Sequence, residues 1–109
     1  MPGQEKEISQ DDFINEVINS DRVVCVNFFA EWCGPCRYIA PIIVEIAGTE
    51  DMQNIKFVSI DVDNARNLAK KLGITSIPTL IIFNHGQETG RLIGAKPEEK
   101  IKEFINQNR

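Results

Sequence analysis

The sequence of 109 residues has no long apolar run, no surplus of positive charge and only three cysteines. A membrane-spanning helix needs about 18 to 20 consecutive apolar residues, and no stretch approaches that length, so we expect no membrane association. The net charge of −4 argues against a nucleic-acid-binding protein, because such proteins present a basic face. An odd number of cysteines argues against the fully paired disulfide framework of a small secreted protein.

The amino-terminal stretch MPGQEKEISQ lacks the apolar core of a signal peptide, so we expect a cytoplasmic protein, where thiols stay reduced. The composition, with 42% apolar and 26% charged residues, is typical of a globular domain. The length matches one domain, so we predict a single domain over residues 1–109, with residues 1–4 as a flexible terminus. No surplus apolar stripe indicates a partner surface, which favours a monomer.

Hydrophobic periodicity predicts the order strand, helix, strand, helix, strand, helix, hairpin, helix. We expect strands at residues 4–8, 23–29, 55–62, 79–84 and 88–94, and helices at residues 10–19, 34–49, 64–73 and 96–107. Ser9 is the predicted N-cap of the first helix, with Asp12 forming a weaker variant of the capping box. This order predicts an α/β fold with a mixed central sheet of four to five strands and about four helices on both faces.

The segment AEWCGPCRY, residues 30–38, places two cysteines at the start of the long predicted helix. The free N–H groups and the dipole of a helix N-terminus favour a thiolate at Cys33, and the thiolate is the reactive form. Cys36 lies one turn later, on the same face and within reach. Pro35 is tolerated in a first turn, and Gly34 has no side chain to obstruct an incoming disulfide.

Other roles for the cysteine pair are weaker. As a structural staple, a disulfide closing so short a loop contributes roughly 2 kcal/mol, against about 3 for fifteen residues. A zinc site needs four ligands, and beside the pair the chain offers Cys25, inside a strand, and His85, in a distant turn. We therefore favour a redox-active dithiol and expect no bound metal. The alternatives are a metal site and a cysteine pair that no longer has a function.

Three segments in order, FFAEWCGPCRYIAP, GITSIPTLIIF and GRLIGA, resemble the thioredoxin family, and the resemblance extends over residues 5–108. It implies the thioredoxin fold, with Cys33 as the attacking thiol and Cys36 as the buried resolving thiol. It also implies an apolar rim where substrate docks, formed by Trp32, Gly34, Pro35, Ile77, Pro78 and Gly94. Pro78 would follow a cis peptide bond and face the dithiol, leaving the backbone of Ile77 free to pair with an extended substrate.

The resemblance also implies the activity of a general protein disulfide reductase acting on disulfide-containing proteins. Such a protein has no bound cofactor and is recycled by a separate thioredoxin reductase, either NADPH-linked or ferredoxin-linked. Two alternatives remain at this point. One is an oxidant or isomerase on the same fold, and the other is a non-catalytic interaction protein that grips partners with the surface between Trp32 and Pro78.

Three residues depart from the thioredoxin pattern: Phe29 stands where tryptophan is usual, and the other two replace charged residues. A buried aspartate is usual where this chain has Asn27, and a lysine is usual where it has Ser59. The family's aspartate is thought to move the proton of the buried cysteine, and Asn27 cannot act as that base at neutral pH. We expect slower resolution by Cys36 and a more stable fold, the alternative being that a neutral site works equally well.

Overall fold

A five-stranded mixed sheet forms the centre of the fold. The computed structural model describes residues 5–109. The strands are β1 (Lys6–Glu7), β2 (Val23–Phe29), β3 (Ile55–Asp61), β4 (Thr79–Asn84) and β5 (Gln87–Ile93), in the spatial order β1-β3-β2-β4-β5. β1 and β2 run parallel to β3, whereas β4 runs antiparallel to both β2 and β5. The predicted α/β architecture is confirmed, with β1 shorter than expected and its predicted first residue, Gln4, outside the described range.

Helices cover both faces of this sheet. They are α1 (Gly34–Ala47), α2 (Arg66–Lys71) and α3 (Glu98–Asn108), together with an irregular amino-terminal helical segment over residues 10–18. α1 and α3 pack on one face, where Ile43 and Ile101 are buried against Leu80 of β4. The amino-terminal segment and α2 cover the other face, where Phe13 is buried with Phe28 of β2.

The first predicted helix, over residues 10–19, was wrong in type. The segment is a 3-10 turn at Gln10–Asp12 followed by a π-helical stretch at Ile14–Ile18. The predicted cap is also absent, since the Ser9 hydroxyl donates to Asp12 Oδ2 at 3.1 Å and bonds no backbone N–H. An aspartate is one methylene shorter than the glutamate of a capping box, and here it holds the serine side chain instead of returning to the backbone.

α2 is also shorter than the predicted helix over residues 64–73. A separate 3-10 turn, Val62–Asn64, precedes it, and the Asp61 carboxylate caps that turn by accepting from the Asp63 N–H at 2.9 Å. Gly73 follows the helix with φ of 70°, a left-handed conformation that glycine adopts without strain. The glycine therefore marks the end of the helical region, as its position predicted.

Strand β2 is buried on both faces, which explains its run of β-branched and aromatic residues. Val24, Val26 and Phe28 face the amino-terminal segment and α2, and all are fully buried. Cys25 faces α1 and α3. The alternation expected for β2 is therefore observed. It places Asn27, the next residue on the Cys25 face, beneath the start of α1.

The hairpin between β4 and β5 turns through two residues with positive φ, His85 at 52° and Gly86 at 79°. Positive φ at both central positions is the signature of a type I′ turn, whose twist matches that of paired strands. Gln87, expected in the turn, is the first residue of β5. Across residues 5–109, every helix is too short or too polar to cross a lipid bilayer.

Candidate active site

The two cysteines lie where β2 gives way to α1. Cys33 is the N-cap of α1, with extended backbone geometry, and its sulfur accepts a hydrogen bond from the Cys36 N–H at 3.2 Å. Cys33 and Cys36 form a disulfide, with Cα atoms 5.2 Å apart. The helix N-terminus therefore directs a backbone donor at the Cys33 sulfur, which favours its thiolate once the disulfide is reduced.

The disulfide is enclosed on most sides. Each cysteine is only 3% exposed, and both pack against Ala30 with Phe29 and Ile77 at the edge of the cluster. Pro35 and Gly34 are exposed beside them, and a Cβ added at Gly34 would meet no atom within 4 Å. The open approach to the sulfurs is therefore over the first turn of α1.

Trp32 stands beside this opening and is held in place. The side chain is 67% exposed, yet its Nε1 donates to Asp63 Oδ2 at 2.8 Å. Sequence reasoning missed Asp63, and no signal in the sequence could have found it, because the two residues lie on separate loops that meet only in the folded chain. The result is a large apolar surface fixed next to the dithiol.

The other two quoted segments meet the dithiol from β4 and β5. The Ile77–Pro78 peptide bond is cis, and the Ile77 carbonyl oxygen lies 3.9 Å from the Cys33 sulfur. The Pro78 carbonyl accepts a hydrogen bond from the Gly94 N–H at 2.8 Å, and Gly94 has φ of 96°. Ile77 is half-buried, so part of its surface faces solvent at the edge of the sulfur site.

A cavity of about 410 Å³ borders the disulfide at Cys36. Cys36 lines it, together with the buried polar residues Asn27 and Ser59, which are 3% and 7% exposed. Glu7 lines it from β1, and Glu5 lines it from the residue before β1. The remaining lining residues are Phe29, Ala30, Glu31, Arg37 and Ala40.

Glu5 is the residue of this cavity that sequence reasoning missed. Burial raises the pKa of Glu5 to about 7, the Asn27 side chain opposes the increase, and the nearby Glu7 charge adds to it. Among residues 5–109, Glu5 Oε2 and Asn27 Oδ1 are buried without a hydrogen-bond partner. Only the short pairing of β1 with β3, Lys6 opposite Val58 and Glu7 opposite Ser59, brings Glu5 here.

The third cysteine lies apart from this chemistry. Cys25 is 2% exposed in the middle of β2, and burial raises the pKa of its thiol, with the Glu5 charge as a smaller cause. A thiol that stays protonated and covered is a poor nucleophile. Across the described part of the chain, no three histidine, cysteine or acidic side chains are grouped so that they could hold a metal ion.

The sequence model of the thioredoxin family matches residues 4–107. The chain belongs to the thioredoxin family. It is 39% identical to a thioredoxin of Haemophilus influenzae over 101 residues, covering 93% of this chain and 94% of that one. It is 42% identical over 98 residues to "Thioredoxin M-type, chloroplastic" of Chlamydomonas reinhardtii, covering 90% of this chain and 69% of that one.

A solved structure shows the same fold. The crystal structure of Malassezia sympodialis thioredoxin (Mala s 13) superposes with a TM-score of 0.88 at 35% identity, covering 99% of this chain and 94% of that one. Family membership and the Cys33–Cys36 disulfide together make this chain a protein-disulfide oxidoreductase that works by dithiol–disulfide exchange. Thioredoxins are in general reduced by a thioredoxin reductase and act on disulfide substrates.

Proposed function

We propose that this member of the thioredoxin family is a general protein disulfide reductase in which Cys33 attacks the substrate and Cys36 resolves the intermediate. The observation that supports this assignment is the position of the Cys33 sulfur at the N-cap of α1, where it accepts the Cys36 N–H at 3.2 Å. That donor and the helix dipole lower the free energy of the thiolate at Cys33 and not at Cys36, which lies inside the helix.

The reaction then has two exchange steps. The Cys33 thiolate attacks one sulfur of the substrate disulfide, forming a mixed disulfide and releasing the other substrate sulfur as a thiolate. The Cys36 thiolate next attacks the Cys33 sulfur, forming the Cys33–Cys36 bond and releasing the second substrate thiolate. The substrate disulfide gains two electrons, and the cysteine pair loses two.

Substrate selection on this proposal depends on the surface around the opening. Trp32 is exposed and anchored by Asp63, and Ile93, at the end of β5, is 51% exposed. Gly34 and Pro35 keep the approach to the sulfurs clear, and the backbone of Ile77 offers hydrogen bonds to an extended segment of substrate. Pro78 and Gly94 shape that edge through the bond between them. The surface is apolar with few directed polar groups, which suits many partners better than one.

The remaining assignments extend this proposal. We propose that the protein acts in the cytoplasm as a monomer, has no bound cofactor and receives electrons from an NADPH-linked or ferredoxin-linked thioredoxin reductase. The chain's likeness to a chloroplastic relative and to a bacterial one fits either electron source.

Reduction of insulin disulfides by dithiothreitol tests the central assignment. Wild type and Cys25→Ala are expected to turn over at similar rates, because Cys25 lies outside the site. Cys33→Ser is expected to lose turnover altogether, because it lacks the attacking sulfur. Wild-type protein without turnover, or Cys33→Ser with turnover intact, would contradict the proposal and favour a binding role for the same surface.

A further inference from the structure

The resolving step needs a proton acceptor that β2 does not provide. Cys36 is 3% exposed and must lose its proton before it can attack Cys33. The nearest polar side chain on β2 is Asn27, an amide without basic character at neutral pH. Ser59 of β3, which lines the same cavity as Cys36, is no better as a base.

A carboxylate reaches the same cavity from another element. Glu5 precedes β1 and lines the cavity together with Cys36, Asn27 and Ser59. The Asn27 side chain lowers the pKa of Glu5, against the effect of burial, and so favours the ionised carboxylate. Its Oε2 atom is buried and has no hydrogen-bond partner within residues 5–109.

We propose that Glu5 is the proton acceptor for the Cys36 thiol, acting across the cavity that both residues line. This inference rests on the proposed role of Cys36 as the resolving thiol. The carboxylate that activates the buried cysteine comes from the residue that precedes the edge strand β1, and Asn27 acts as its positioning residue on β2.

The proton and the electrons balance in this step. The Cys36 S–H bond breaks and its proton passes to the Glu5 carboxylate, through water if the two groups do not touch. The cavity is large enough to hold water, and Glu5, Asn27 and Ser59 supply polar partners for it. The sulfur electron pair of Cys36 forms the bond to Cys33, and the pair of the broken mixed disulfide leaves with the substrate thiolate. Protonated Glu5 returns its proton to solvent, or to Cys36 when the protein is reduced again.

Protonation also repairs a deficiency of the cavity. Glu5 Oε2 and Asn27 Oδ1 are both acceptors, and neither has a partner among the described residues. A buried polar atom without a partner costs about 1–3 kcal/mol. A proton on Glu5 adds the donor that this pair lacks, so the cavity stabilises the product of the transfer.

The charges around Glu5 are consistent with a base that works near neutrality. Burial and the Glu7 carboxylate raise its pKa to about 7, and the Asn27 side chain opposes them. Cys25 faces the same region from β2, and Glu31 and Arg37 line the outer part of the cavity. A carboxylate with this raised pKa accepts a proton from a thiol more readily than an ordinary glutamate does. It is still about half ionised at neutral pH, so it remains available as a base.

Stopped-flow kinetics with reduced protein and limiting Ellman's reagent separates the two exchange steps. Attack by Cys33 releases one coloured thiolate in a phase whose rate depends on protein concentration. Attack by Cys36 releases a second in a phase that does not. The variants are Glu5→Gln, Glu5→Gln with Asn27→Asp, and Glu31→Gln as the control, since Glu31 is an exposed carboxylate lining the same cavity.

We expect Glu5→Gln to slow the second phase by roughly 10²-fold at neutral pH and to leave the first phase unchanged. In wild type the second-phase rate rises with pH through a midpoint near 7, because only ionised Glu5 accepts a proton. Glu5→Gln loses that midpoint, and adding Asn27→Asp restores both the rate and a carboxylate titration. Glu31→Gln behaves as wild type.

An unchanged second phase in Glu5→Gln across neutral pH overturns the proposal. A slow second phase that keeps the wild-type pH midpoint, or that Asn27→Asp does not rescue, also overturns it, because either result indicates a structural effect. Loss of the first phase in wild type is a different outcome, since it contradicts the attacking role of Cys33 and so the proposed function itself.

Discussion

The buried carboxylate of Glu5 lowers the free energy of unfolding when it is ionised, in addition to its proposed chemical role. Its pKa is raised from 4.5 to about 7, so between these values the folded chain binds a proton that the unfolded chain has released. Stability therefore falls as pH rises through this window, and the cost is complete above the folded-state pKa. The full shift corresponds to about 3 kcal/mol.

Replacing the carboxyl removes this penalty. We expect the stability of Glu5→Gln relative to wild type to increase from pH 4.5 to pH values above 7, reaching a gain of up to about 3 kcal/mol. Urea unfolding of both proteins at a series of pH values measures the difference. Glu31→Gln, at an exposed site, serves as the matched control and should show no such trend. A constant difference between Glu5→Gln and wild type would contradict the raised pKa.

The sequence was sufficient to identify Asn27 as unusual, but it did not reveal the nearby Glu5. Asn27 was recognisable because the alternation of β2 places a polar side chain on a buried face. Glu5 was not, because its position depends on the register of a strand of two residues, which no periodicity defines. The expectation that Asn27 slows the resolving step stays a prediction.

Among the secondary-structure elements, the β4–β5 hairpin makes the strictest demand on its turn residues. His85 adopts φ of 52°, which is unfavourable for most side chains, and Gly86 packs against the amino-terminal helical segment. A Cβ on Gly86 would lie 2.8 Å from the Ile18 carbonyl oxygen. Asparagine is strongly preferred at the first central position of a type I′ turn.

Two variants at this turn should change stability in opposite directions. His85→Asn is expected to raise the free energy of unfolding by about 0.5 kcal/mol, because asparagine tolerates the left-handed conformation. Gly86→Ala is expected to lower it by more than about 1 kcal/mol, because the added methyl meets both positive φ and the Ile18 backbone. Thermal unfolding compares the two with wild type. Equal stability of wild type and Gly86→Ala would show that the turn adapts without strain.

The elements themselves were predictable to different degrees. β2, β3 and β4 combine buried faces with β-branched residues, so pattern and burial agree and their bounds were found within one residue. The amino-terminal segment has apolar residues Phe13 and Val17 at a helical spacing, and both are buried. That spacing locates a helix but does not distinguish its hydrogen-bond pattern, which the packing against the sheet decides.

For the molecule as a whole, the sheet joins two apolar layers into one cooperative unit. Phe28 of β2 is fully buried in the layer beneath the amino-terminal segment, while α1 and α3 cover the opposite layer. Each layer is built on the same central strands. Loss of packing in one layer should therefore weaken the entire fold and leave no half of it stable.

Truncation of Phe28 tests this cooperativity. Phe28→Ala is expected to cost about 3–5 kcal/mol through lost burial and the cavity left behind. The fluorescence of Trp32 and far-UV circular dichroism should still report a single coincident transition. Val44→Ala, on the exposed side of α1 where Val44 is 44% exposed, should cost less than about 0.5 kcal/mol. Separate transitions by the two probes would show that the layers unfold independently.

The buried thiol of Cys25, in the middle of β2, provides a natural probe of how often the folded protein opens. Cys25 is 2% exposed and burial raises the pKa of its thiol, so we expect alkylating reagents to reach it only when the central strands separate. When Cys33 and Cys36 are held as a disulfide, Cys25 is the thiol left to react, and its rate of alkylation measures how often the sheet opens. The labelling rate at saturating reagent therefore gives the frequency of the openings that expose β2, without denaturant and from a single natural side chain.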